Sequence, residues 1–132
     1  MKTTRFEDLE CWQEARRVVD RVYRICSVEA FNRDYSLTDQ IRRASVSAMA
    51  NIAEGFSRRG NKEFIQFLFI AKSSAAELQS HLYVALDREY ITNSLLKKSF
   101  TAGCSKMPRC KAPEILRVAS RRIRSDFCHA DE

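Results

Sequence analysis

An all-α, up-and-down antiparallel four-helix bundle is the fold this sequence predicts, and three observations point to it. Glycine and proline are scarce, 3 and 2 in 132 residues, too few for the tight turns of a β-sandwich. Apolar side chains recur every three to four residues over three long stretches. Short polar links join those stretches, so rods of about 30–42 Å at roughly 1.5 Å per residue must fold back on one another. At 15.3 kDa the chain makes a single folding unit. Its 45% hydrophobic and 30% charged residues argue against a disordered chain.

The first helix is predicted over 7–27. Leu9, Trp12, Ala15, Val19, Val22 and Cys26 share one face, and Glu7, Asp8 and Glu10 suit the positive end of its dipole. A polar stretch over 29–35 then breaks the pattern. The second helix, 36–57, starts at Ser36, which resembles the cap of a capping box with Asp39 three residues on. Leu37, Ile41, Ala44, Ala48, Ile52 and Phe56 form its stripe. Its many alanines and serines let a neighbouring helix approach closely, which places this helix at the centre of the packing. Gly60 is expected to take the left-handed conformation that ends it.

The third helix, 61–87 with Asn61 as its cap, has the strongest pattern. Phe64, Phe67, Leu68, Ala71, Ala75, Leu78, Leu82 and Ala85 make one stripe. Ile65, Phe69, Ala76 and Tyr83 make a second, so the helix is apolar on more than one face and should touch two neighbours or another subunit. A fourth helix starts near 92 with Thr92 as cap. Residues 1–98 thus form the bundle core. After about residue 99 the pattern is interrupted: three of the five cysteines and both prolines, Pro108 and Pro113, fall in this divergent segment, 99–132. Proline inside a helix costs about 3 kcal/mol or more, so the fourth helix cannot run smoothly through it. A short basic helix over 113–125 and a frayed tail are expected instead, and a shifted reading frame near 99 is one explanation.

No apolar run reaches the roughly 18 residues of a membrane span. The opening residues lead into Glu7 and Asp8 without an apolar signal core, so a cytoplasmic location and no membrane partner are expected. The five cysteines are an odd set without regular spacing and read as free thiols. With 23 basic against 17 acidic residues the net charge is +6 and the pI about 9.3, a moderate excess that suits a polyanionic partner.

The candidate cations are Arg16, Arg17, Arg21 and Arg24 on the first helix, Arg42 and Arg43 on the second, and Arg58, Arg59 and Lys62 at the following turn. Two readings are open for them: contacts to RNA or DNA phosphates, non-specific and salt-sensitive, or a solvated face of intrahelical ion pairs such as Asp39 with Arg42 or Arg43. Most aromatics fall on apolar stripes and offer little sign of a base-stacking platform. Gln40, Asn51 and Glu54 are polar positions on the small-residue helix. A register-fixing network or an intersubunit contact suits them better than catalysis, because Glu54 has no base, nucleophile or metal partner visible in the sequence. Gly55 offers close approach of a neighbouring backbone or a local bend. Trp12 reads as a core or interface anchor, and Phe69 and Tyr83 as subunit contacts. Glu77 and His81 lie four apart, but a di-iron bundle needs two Glu-x-x-His pairs, and Cys104, Cys110, Cys128 and His129 lack zinc-ligand spacing. No metal, cofactor or catalytic residue is therefore expected.

The string Asn51-Ile52-Ala53-Glu54-Gly55, within a segment running from Gln40, resembles the four-helix-bundle family first met as products of intervening sequences in bacterial 23S ribosomal RNA genes. Trp12 with Ala15, Glu63-Phe64, Phe67-Leu68 and Glu77-Leu78 support it, over about residues 6–98. The accessory variability proteins of diversity-generating retroelements are similar. The resemblance implies a homo-oligomeric ring, commonly a pentamer, with a basic surface and no enzymatic activity. For members associated with retroelements it implies nucleic acid and a reverse transcriptase as partners. Three functions follow as expectations: a non-catalytic binding or scaffold protein, a purely structural self-assembling protein without a nucleic-acid role, or, least supported, an enzyme.

Overall fold

The computed structural model of the chain describes residues 4–58 and 60–99. Among these there is no strand. A single 3-10 turn, Phe6–Asp8, precedes helices α1 (Glu10–Cys26), α2 (Glu29–Asn32), α3 (Tyr35–Ser57), α4 (Asn61–Asp87) and α5 (Asn93–Ser99). The interruption expected after 99, the short basic helix over 113–125, the frayed tail and Arg59 lie outside the described residues.

Helix α3 is central, packed against both α1 and α4 and most extensively against α4. Its small side chains are the reason: Ala44, Ser45, Ala48 and Gly55 are all buried on it. Ser47 meets Ser74 and Phe56 meets Phe64, so α3 and α4 run antiparallel. The core has two lobes. Val22, Phe31, Ile41, Leu78, Leu82 and Leu96 belong to the one where α5 closes over α1 and α4. Leu9, Ala15, Ile52, Phe64 and Ala71 form the other, flanked by Phe6, Trp12 and Phe56. Each large aliphatic or aromatic side chain fully buried here stabilises the fold by about 1.5–3 kcal/mol.

Several boundaries differ from the sequence expectation, each for a local reason. The first helix starts at Glu10, not 7: residues 6–8 make a separate turn, Leu9 is extended and buried, and Phe6 returns edge-on to Trp12 at 5.1 Å. On α1 the side chain facing the core is Val18, while Val19 is half-buried. The polar stretch after α1 is not structureless. It holds the single turn of α2, whose Phe31 is fully buried and stacks on Tyr90 at 5.1 Å.

Ser36 is not the cap of α3. Asp34 is: its Oδ1 accepts from the Leu37 backbone N–H at 3.1 Å, and its Oδ2 accepts from the Tyr90 hydroxyl at 3.3 Å. One carboxylate thereby ties the start of α3 to the chain leaving α4. Gly60 does not take a left-handed conformation either. Its φ is −97°, it precedes α4 in extended geometry, and Asn61 is already helical. The left-handed residue is Glu89, with φ 60°, just past α4. There the Tyr90 N–H reaches back to the Ala85 carbonyl at 2.9 Å, which swings Tyr90 and Ile91 onto the core. Thr92 does cap the next helix, its Oγ1 accepting from the Leu95 N–H at 3.3 Å.

Candidate nucleic-acid and assembly surfaces

The arginines divide by what holds them. Arg17 pairs with Glu14, Arg24 with Asp20 at 3.0 Å, Arg43 with Asp39 at 3.5 Å and Arg58 with Glu54 at 2.8 Å, all one helical turn apart. Exposed pairs of this kind contribute about 0–1 kcal/mol each, and they cancel the cation's field toward a distant anion. Arg21 is half-buried on α1, and Lys62 is exposed at the start of α4.

Two arginines are held differently. The Arg16 guanidinium lies over the Trp12 ring, 5.8 Å from its centroid, and the Arg42 guanidinium lies over the Tyr23 ring at 5.4 Å. Neither forms an ion pair among the described residues. The Arg42 Nε is buried without a hydrogen-bond partner. Cys26 borders the same spot: burial pushes its thiol pKa up, and the Arg42 guanidinium opposes that shift without reversing it. The thiol therefore stays protonated at neutral pH and offers Arg42 no charge. Arg58 also stacks, over Phe67 at 5.3 Å, but keeps its Glu54 partner.

Sequence reasoning named Arg16, Arg42 and Trp12 but missed Tyr23. A signal was present: Trp12, Arg16, Val19 and Tyr23 follow one another at steps of four, three and four, which is one stripe of α1.

The second surface is the outer side of α4. Its inner side buries Phe64, Ala71, Leu78 and Leu82, while Phe69 is 65% exposed and Tyr83 51% exposed on the far side. Ala76 lies between them, also exposed, and Ile70 and Val84 are exposed as well.

Between α3 and α4 runs a short polar network. The Ser47 and Ser74 hydroxyls are 2.9 Å apart, and Asn51 donates to the Ser47 carbonyl at 2.8 Å and to its hydroxyl at 3.2 Å. Asn51 does not meet Glu54, which turns outward to Arg58, and Gln40 is exposed. At Gly55 the two helices touch: a Cβ there would stand 2.5 Å from the Phe67 Cβ. Glu77 and His81 are 3.4 Å apart on α4. Among the described residues, no group of three or more histidines, cysteines, aspartates or glutamates is placed to hold a metal ion. No helix among them is long and apolar enough to cross a membrane.

The sequence model of the 23S rRNA-intervening sequence proteins matches residues 7–107. The chain belongs to that family. The match takes in α1 to α5 and runs on past the last described residue. Both surfaces therefore lie within the family's own span, as do the Asn51–Gly55 string and the Gly55 contact beneath it. No curated protein matches the chain.

Proposed function

We propose that this member of the family is a non-catalytic binding and scaffold protein. It is a four-helix bundle that self-assembles into a ring through the outer side of α4, and its cationic surface contacts the backbone of RNA or DNA. The observation that supports assembly is the doubled apolar character of α4. A helix that buries one stripe and leaves Phe69 and Tyr83 in solvent on the other has a face suited to a second copy. Pentameric closure is the form the family resemblance suggests, and closure would repeat each cationic surface around the ring and raise avidity without new contacts.

The experiment is light scattering on the intact chain and on Phe69→Glu. A charge at a buried copy-to-copy contact is strongly unfavourable, so the variant is expected to run at a smaller mass with unchanged helicity. An unchanged mass contradicts the assignment of this face.

A second reading, structural self-assembly without nucleic acid, is favoured by the four ion pairs that occupy Arg17, Arg24, Arg43 and Arg58. Gel shifts separate the two. Retardation that fades as salt rises supports nucleic-acid contact, and none at low salt supports the structural reading. A reverse transcriptase partner belongs to the first reading, and a coding sequence beside one in the genome would favour it.

A further inference from the structure

Nucleic-acid contact by the arginines leaves open which of them act and on what form of nucleic acid; the inference here rests on that reading and narrows it. We infer that the outer seam between α1 and α3 is a binding surface for single-stranded nucleic acid, with Arg16 on Trp12 and Arg42 on Tyr23 as its two contact points.

The selection comes from pairing. Arg17, Arg24, Arg43 and Arg58 each have a carboxylate one turn away, whereas Arg16 and Arg42 lie over aromatic rings and form no ion pair among the described residues. Position supports it. Trp12, Arg16 and Tyr23 stand within about 40° of one another around α1 at roughly 100° per residue. Arg42 reaches Tyr23 from α3, so both points lie along the seam where these two helices pack. Trp12 and Tyr23 are about 16 Å apart along the axis at roughly 1.5 Å per residue.

The form of the ligand follows from these cation–ring contacts. A guanidinium held over a ring has its reach restricted in advance, and its flat face suits a base while its edge nitrogens suit a phosphate. Only an unpaired strand can offer a base face and the neighbouring phosphate together, because a duplex keeps its bases stacked on one another. Tyr23, 48% exposed, adds a surface of its own.

The chain has a single tryptophan, Trp12, which makes the seam directly observable. The probe is fluorescein-labelled oligouridine at low salt, read by anisotropy and by tryptophan emission, with a matched RNA duplex and heparin as base-shielded and base-free polyanions. Oligouridine is expected to bind more tightly than the duplex and to quench Trp12, and heparin to bind without quenching. Arg16→Gln and Arg42→Gln are each expected to weaken oligouridine binding about tenfold and to lower the salt slope by about 1. Arg24→Gln and Arg43→Gln, which remove already paired cations, are expected to change it less than about twofold by the same comparison. Arg16 is exposed, so its variant keeps the test independent of folding even where Arg42→Gln disturbs the packing around Cys26.

Equal losses from Arg24→Gln and Arg16→Gln would overturn the seam while leaving nucleic-acid binding standing. Duplex bound as tightly as oligouridine, or heparin quenching Trp12 equally, would overturn the single-strand assignment. A polyglutamate peptide competing as well as oligouridine would replace nucleic acid with an acidic protein partner. No binding of oligouridine at low salt would remove both the seam and the reading it rests on.

Discussion

Gly55 shows at the scale of one residue how α3 and α4 come to pack so closely. Its missing side chain is what lets the Phe67 Cβ occupy the space, with Phe64 Cδ2 at 3.1 Å from the same point. The clash partner is attached directly to the backbone, so an added methyl has to separate the helices, not rotate a side-chain tip. Gly55→Ala is therefore expected to destabilise the fold by about 1–3 kcal/mol despite the better helix propensity of alanine. Urea unfolding followed by circular dichroism measures it, and a stabilised variant would contradict the contact. The glycine itself was conspicuous in the sequence as the end of the Asn51–Gly55 string, but which side chain fills the space depends on the register of α4. Arginine behaviour was partly legible in the same way. Asp20 with Arg24, Asp39 with Arg43 and Glu54 with Arg58 are four apart and their pairing can be read from spacing. The contact of Arg42 with the Tyr23 ring joins two helices, and no local pattern encodes it.

Among the elements, long periodic ones were legible and short ones were not. The third predicted helix, 61–87, has the bounds of α4, because its stripe spans several turns and an error in phase would expose Phe64, Leu78 and Leu82 together. The single turn of α2 is too short for periodicity to register, and its surroundings in sequence are polar. Yet it carries Phe31, fully buried and stacked on Tyr90, across the ends of α1, α3 and α4. Phe31→Ala is expected to cost about 3–5 kcal/mol, as large an effect as removing any core aromatic. A loss under about 1 kcal/mol would show that the site collapses easily, or that α2 is not docked as described. The start of α3 teaches a related lesson. Ser36 and Asp34 are both good capping residues, and what selects Asp34 is the Tyr90 hydroxyl, 56 positions away in sequence, that its other oxygen accepts from.

For the whole molecule, the two faces of α4 connect fold to function. Burying Phe64, Leu78 and Leu82 packs α4 onto its neighbours, and Phe69 and Tyr83, left exposed, form the face proposed for assembly. The second stripe was visible in the sequence as excess apolar character, but not whether α1, α5 or another copy would cover it. The structure places no described element of this chain over Phe69 or Tyr83. The central claim is that the protein acts by presenting surfaces from an assembled bundle, and sedimentation equilibrium of the intact chain over a range of concentrations tests it most directly. The account predicts a mass that is a whole-number multiple of the 15.3 kDa chain and falls toward one chain in Phe69→Glu. A 15.3 kDa species at every concentration would contradict it.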